Sequence, residues 1–343
     1  MNILLTSAGR RGYLVEYFKE ALQGTGEVHV GNSTPLSPVF YYGDKSVVTP
    51  LIYDEDYIPF LKRYCKENQI TAIISLFDVD LYMLAQHREE FAKEGVTVIV
   101  SSPEVISVCN DKWETFQFCK REGLHTPKTY CRLEEVEAAI DAGELSYPVM
   151  IKPRWGMGSI AVYQAENKEE LEVLAKKVKR EIFASYLKYE SAFDEEVCVL
   201  FQEKIGGQEY GLDVIHDLEG NHCLTVVRKK IAMRSGETDC ARILEDEKVA
   251  AVGTAVGDAL GHIGNLDMDV FVTENDIYVL EMNARFGGGY PFSHLAGVNL
   301  PKAIVKWLRG EALDRELVIK KPGILVQKDI RMIDITGCIG EEI

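Results

Sequence analysis

The chain has 343 residues, 46% hydrophobic and 27% charged, too many for one ordinary core and typical of a soluble globular protein with two or three packed domains. A formal net charge of -16 with no basic run offers nothing to a phosphate backbone, so nucleic acid is not an expected partner. No apolar run reaches spanning length and the N-terminus starts a strand at once, so no membrane is expected and the cytoplasm is the expected compartment.

Up to about Leu124 strands and helices alternate. NILLTS, EVHVGN, TAIISLF and VTVIVSS read as short apolar strands, and GYLVEYFKEALQ, DYIPFLKRYCKEN and DLYMLAQHREEF carry helical spacing between them. This pattern predicts a parallel α/β sheet. The first strand-to-helix turn, TSAGRRG, offers Arg10 and Arg11 to an anion or to water. It lacks G-x-G-x-x-G, so a nicotinamide dehydrogenase ranks far behind other readings. Asp78 and Asp80 follow a strand at the carboxyl end of the sheet, where both ligand sites and helix caps are found. The eight cysteines fall singly and the histidines are scattered, so reduced thiols and no zinc centre are expected.

The helix DKWETFQFCKREGL and the linker-like HTPKTY come next. From Tyr147 the strands arrive as hairpins: PVMIKP and SIAVYQ around a glycine loop, then VCVLFQEKI, EYGLDVIHD and HCLTVVRKK. Two helical stretches interrupt them, and the half reads as α+β with antiparallel sheets. Lys152 ends one strand, with Gly156 and Gly158 after it, so bare backbone and a point charge can meet phosphate oxygens; a plain hairpin turn fits as well. The segment through Ile205 to Glu209 suits an adenine edge and ribose hydroxyls, or a polar edge hairpin. Arg228, Lys229 and Lys230 are cations at a strand end. Arg234, in the run Arg234 to Thr238, is a bidentate grip for an oxyanion or part of a solvated loop.

LDMDVFVTENDIYVLEMNAR reads as two strands, Leu266 to Thr273 and Ile277 to Arg285, joined by a three-residue loop. Pairing Thr273 with Ile277 and counting back sets Asp269 across from Glu281, with Asn283 on the face of Glu281 and Asp267 on that of Asp269. Opposed like charges suit a structural hairpin poorly, whereas a divalent cation reverses the sign of the problem. Oxygen ligands without sulfur or imidazole suit Mg²⁺ beside phosphates, which points to phosphoryl transfer. The alternative is an exposed hairpin with its acids in water.

In order, Asp111-Lys112, Ile151-Lys152-Pro153, the loop GMGS, QEKIGGQEY and EMNARFGGGYP resemble the ATP-grasp superfamily. Within it, NILLTSAGRRGYLVEYF, SSPEVISVCNDKW, RKKIAMRSGET and NARFGGGYPFSHLAG look like single-unit, carbamoyl-phosphate-synthase-like members, over nearly the whole chain to about Gly310. The resemblance implies a pre-ATP-grasp Rossmann-like α/β domain (1–108), linker helices with a lid subdomain (109–205) and a C-terminal ATP-grasp subdomain (206–343), hence an α+β ATP-grasp fold. It implies ATP and Mg²⁺, with Mn²⁺ as a substitute. Lys112 and Lys152 would contact phosphates, Gly156, Gly158 and Ser159 would close over them, Glu203 and the Ile205 backbone would meet adenine, and Glu209 the ribose. Asp269, Glu281 and Asn283 would carry the metal, and Arg285, Arg234 and Lys230 would serve the transferred group. Gly287, Gly288 and Gly289 read as backbone kept bare beside the intermediate. Asp269 stands where carbamoyl-phosphate synthase subunits usually carry Gln, which is closer to peptide-ligase members. The implied activity is ADP-forming ligation of a small carboxylate to an amine, with homodimerisation open; the alternative is an ATP-binding subunit or regulatory module that needs a partner.

Overall fold

Five short segments, β1 (Asn2–Thr6), β2 (Val28–Asn32), β3 (Lys45–Val48), β4 (Ile70–Ser75) and β5 (Thr97–Ile99), form a parallel sheet in the order β3-β2-β1-β4-β5. The helices α1 (Gly12–Leu22), α2 (Tyr57–Glu67), α3 (Asp78–Gln86) and α4 (Arg88–Lys93) lie between the strands, and α5 (Pro103–Asn110) and α6 (Lys112–Arg121) follow. Strand β3 has no counterpart in the sequence reading. It is an edge strand whose side chains are largely exposed, so it lacks the apolar run that marks its neighbours. The expected helix DLYMLAQHREEF is two helices, parted at His87. Ser102 and Asp111 cap α5 and α6 by accepting from the Val105 and Trp113 N–H groups.

The linker-like HTPKTY ends in β6 (Thr129–Tyr130). After α7 (Leu133–Asp141) come β7 (Val149–Pro153), β8 (Tyr163–Ala165), α8 (Lys168–Phe183), α9 (Lys188–Ser191) and β9 (Val199–Glu203), which complete a four-stranded antiparallel sheet in the order β6-β9-β7-β8. A third sheet, β14-β13-β10-β11-β12-β15, is antiparallel throughout: β10 (Gln208–His216), β11 (His222–Arg234), β12 (Glu237–Leu244), β13 (Gly264–Val272), β14 (Ile277–Asn283) and β15 (Leu325–Gln327). Helices α10 (Glu247–Leu260) and α11 (Tyr290–Leu295) pack on it, and α12 (Leu300–Leu308) packs on α1. The computed structural model describes residues 1–338; residues 339–343, the end of the expected 206–343 unit, lie outside the described residues.

The apolar cores do not follow the three sheets one to one. Leu4, Ile73 and Phe118 share a cluster with Leu212, Met268 and Met282, and Ile3, Leu14 and Phe18 share another with Val226, Phe286 and Ile304. The first and third sheets are therefore welded through both clusters. The four-stranded sheet keeps its own core, from Val136 to Phe201. Helix α6 packs into the first cluster through Phe118 and Cys119, while its Trp113 packs against Cys131, Val197 and Leu200 beside the small sheet.

Candidate active site

The hairpin of β13 and β14 sets Asp269 across from Glu281 and Asp267 across from Asn283, the pairing counted from the sequence, but by another route. The loop holds four residues, closed by the Thr273 N–H on the Asp276 carbonyl at 3.0 Å, so that Val272 pairs with Ile277. A bulge at Leu280 then absorbs the extra residue and restores the register before Glu281.

Cations surround the two carboxylates. Lys230, on β11, is buried and reaches Asp269 at 2.8 Å and Glu209 at 2.6 Å. Lys112, at the start of α6, lies 3.9 Å from Glu281, and its ammonium also donates to the Gly156 carbonyl, so the glycine loop is folded in over the hairpin. Lys152, buried at the end of β7, donates to Gln202 Oε1 at 2.7 Å. Its pKa falls to about 7, because burial and the neighbouring Lys112 disfavour its charge more than Glu281 supports it. Burial pushes Asp269 up to about 6 against the pull of Lys230. Burial acts the same way on Glu281, but Lys112, Lys152, Arg285 and Lys230 together outweigh it and hold that carboxyl below its ordinary value.

This donor set fits a hard cation: two opposed carboxylates and an amide on one face, with oxygen the available ligand atom. Among the described residues no three His, Cys, Asp or Glu side chains converge as a closed metal cage. A metal held here would complete its shell with substrate oxygens and water.

Arg285 is wholly committed to protein partners. Its Nε and Nη2 donate to Asp78 Oδ2 at 3.1 and 2.8 Å, and its Nη1 to Asp267 Oδ2 at 3.1 Å. Asp267 also accepts from Arg228 at 3.3 Å, and Arg228, 2% exposed, is paired to Asp213 and to Ser293. Asp267 thus bridges two buried guanidiniums. Asp80, the other acid after β4, is buried under the Thr6 and Tyr57 hydroxyls at 2.5 and 2.8 Å and locks the sheet end.

The glycine run after β14 has a structural cause that differs from the expectation of backbone bared for an intermediate. A Cβ on Gly287 would overlap the Asp267 carboxylate, and one on Gly289 would lie 2.6 Å from Arg228 Nη2; one on Gly288 would meet the end of the Glu237 side chain at 3.3 Å. Two of the three glycines make room for the buried ion pairs.

The other expected residues divide. The run Arg234 to Thr238 is a tight hairpin tip between β11 and β12, not a long loop, and it abuts the Gly158 carbonyl and the Ser159 hydroxyl. Arg234 itself is 58% exposed and lies 3.4 Å from Asp239, so it stands at the rim, apart from the hairpin acids. Glu203 accepts the Lys128 N–H at 3.1 Å, Ile205 lies on the stretch joining β9 to β10, and Glu209 is on β10, paired with Phe271. Glu209 spends its carboxylate on Lys230.

Residues 109–289, more than half of the chain, match the model of the ATP-grasp domain. The chain belongs to the ATP-grasp family. Residues 3–99 match the PylC-like N-terminal domain. The chain is 22% identical over 328 residues to the carbamoyl phosphate synthase large chain of Methanoregula boonei, covering 88% of this chain and 29% of that one, so it spans about three-tenths of the relative's length. Its fold is similar to the biotin carboxylase domain of Hydrogenobacter thermophilus 2-oxoglutarate carboxylase, in complex with MgADP and bicarbonate (TM-score 0.72, 20% identity, 91% of this chain and 70% of that one). It is also similar to an L-amino acid ligase from Bacillus licheniformis (TM-score 0.71, 21% identity, 94% and 78%). Among the described residues no helix is long and apolar enough to cross a membrane.

In this ATP-grasp chain the sequence reading missed two features. One is the buried Arg228–Asp213 pair: Asp213 is a lone charge inside the apolar GLDVI, whereas Arg228 opens a run of three cations and is not marked off from them. The other is Glu190, on α9, whose carboxyl is pushed up to about 7 by burial and by Asp78, with Lys112 opposing. It comes into place because the α9 region docks on the N-terminal sheet: Tyr189 stacks on Tyr53 with ring centres 4.2 Å apart, and Tyr186 meets Phe77 edge-on at 6.0 Å. No local pattern marks Glu190.

Proposed function

We propose that this chain is an ATP- and Mg²⁺-dependent ligase that joins a small carboxylic acid to an amine through an acyl phosphate, releasing ADP. The observation that carries the reading is the opposed Asp269–Glu281 pair, with Asn283 beside it and Lys112, Lys152 and Lys230 around it. A resting protein gains little from facing two carboxylates across a ladder. Asp269, Glu281 and Asn283 would hold Mg²⁺, with Mn²⁺ as its substitute, and the ion would neutralise charge on the triphosphate.

The remaining roles belong to the chain's own side chains. Lys112 and Lys152 meet phosphate oxygens, and a phosphate beside Lys152 restores the charge that burial suppresses. Gly156, Gly158 and Ser159 exclude water from the acyl phosphate, with the hairpin tip at Gly236 as their stop. Lys230 moves from Glu209 and Asp269 to the transferred group as Glu209 takes the ribose, and Glu203 with the Ile205 backbone receives adenine. Arg285, braced by Asp78 and Asp267, presents a fixed positive field to that group without swinging. The moving unit is taken as the part of the 109–205 linker-and-lid unit that keeps its own core, from about Thr129 to Glu203.

A second reading, an ATP-binding module that needs a partner, draws on the three-tenths coverage of the curated relative. One assay separates them: ADP release by the purified chain with Mg²⁺ across panels of acids and amines. Acid-dependent ADP that disappears in Glu281→Gln supports the ligase. Tight ATP binding without turnover on any acid favours the module.

A further inference from the structure

We propose that the groove between α6 and the segment 124–130 is an effector site for a small planar aromatic anion. The groove has a volume of about 490 Å³, the size of a small-molecule site, and its walls carry Trp113, Phe116, Gln117, Lys120, Lys128 and Tyr130. It is separate from the hairpin site. Lys112 reaches Glu281, whereas Trp113, Phe116, Gln117 and Lys120, three and four positions apart on the same helix, share the face toward the groove.

Charge and shape select the guest. In a chain of net charge -16 the groove is lined by two lysines, and among the described residues no carboxylate lines it. Neither lysine forms an ion pair among the described residues: Lys120 Nζ lies 5.4 Å from the centre of the Phe116 ring, and Lys128 Nζ donates to the Glu144 carbonyl. Each ammonium carries three donors, so both keep donors for an anion. Trp113 and Phe116 stand with ring centres 5.3 Å apart and planes tilted by 36°, an apolar wall for a flat ring. An aliphatic acid leaves that wall uncovered, and an uncharged ring leaves both lysines unanswered.

The groove lies across a joint, which makes its guest an effector. Helix α6 is rooted in the first core cluster through Phe118 and Cys119, whereas Tyr130 packs against the small sheet's own core. A guest that touches both walls ties the two bodies together. The wall behind Lys128 is bonded to residues of the ligase reading, on which this coupling rests. The Lys128 N–H donates to Glu203 at 3.1 Å, and the Lys128 carbonyl accepts the Glu203 N–H at 2.8 Å. The Thr129 hydroxyl accepts from Gln202 at 2.9 Å, and Gln202 in turn accepts from Lys152 at 2.7 Å. Occupancy of the groove braces this arrangement and slows nucleotide exchange.

Calorimetric titration of the full chain without nucleotide tests the site with two probes, 2-naphthoate and 2-naphthyl phosphate. The expected result is saturable binding of at least one, tighter by about tenfold than that of cyclohexanecarboxylate or of the uncharged 2-naphthamide. The tighter probe identifies the natural anion as a carboxylate or a phosphate. Lys120→Gln and Phe116→Ser should each weaken binding by about tenfold. Lys120 is exposed, so its variant keeps the fold, as circular dichroism would report. No saturable binding, binding that survives both variants, or equal binding of 2-naphthamide overturns the site. Release of a fluorescent ATP analogue should slow severalfold with the probe bound, and Lys120→Gln should abolish the slowing at the same probe concentration; unchanged release overturns the effector role. A chain that binds no nucleotide would sink the ligase reading and leave the calorimetric result on the groove standing.

Discussion

Substituting Gly287 with alanine tests the ion-pair account of the glycine run directly. The new Cβ overlaps the Asp267 carboxylate, which must retreat by about 1.4 Å to regain ordinary contact. Asp267 is held at 3.1 Å from Arg285 and 3.3 Å from Arg228. At an effective dielectric near 20, lengthening both pairs by that much forfeits about 3 kcal/mol in total. Breaking one partner of a buried pair falls in the same range. Gly289→Ala crowds Arg228 and should also be costly, whereas Gly288→Ala meets only the far end of the Glu237 chain and should cost less than about 0.5 kcal/mol. Thermal and urea unfolding of the three variants without ligand provides the measurement. The reasoning is refuted if Gly288→Ala destabilises as much as Gly287→Ala, or if all three unfold like the parent and differ only in turnover.

Lys152, with its folded pKa near 7 and an ordinary value of 10.5, is charged at a cost at low pH; the unfolded chain binds more protons between those values, so stability should rise with pH there and the slope should flatten in Lys152→Met. The same shift predicts proton uptake when ATP binds above pH 7, measurable by calorimetry in buffers of different ionisation heat. Glu190 runs the other way: its folded pKa near 7 exceeds its ordinary 4.5, so its contribution is full below 4.5 and lost as pH rises through 7. Glu190→Gln should match the parent at low pH and exceed it by on the order of 2 kcal/mol in the alkaline range, as chemical denaturation would show. A double-mutant cycle of Tyr53→Ala and Tyr189→Ala should give about 1 kcal/mol of coupling in protection of the α9 segment from proteolysis, and zero coupling would mean that the stack does not seat α9.

The sequence reading reaches the site wherever chemistry follows a local period. Alternation along two strands is enough to oppose Asp269 and Glu281, and it survives a misjudged loop because the Leu280 bulge cancels the error. A bulge has no signature in a run such as IYVLEMN. The partners of Arg285 were out of reach for a different reason: Asp78 is 207 positions away and meets it only when the first and third sheets pack. The ion-pair cause of the glycines is not legible in one dimension, because bare backbone beside a ligand and bare backbone beside a buried carboxylate look alike there. Strand β3 lacked the apolar pattern by which strands are found, being an exposed edge.

The separate core of the four-stranded sheet has a practical side. Its apolar residues from Val136 to Phe201 close on one another, and the chain enters and leaves through the short stretches before β6 and after β9. The segment can therefore be treated as a cassette with two splice points, and a graft from another family member inherits its own interior. What such a transplant must match is the perimeter: the tyrosine partners of Tyr53 and Phe77, the Gly156 carbonyl that receives Lys112 and the Leu200 surface that packs on Trp113.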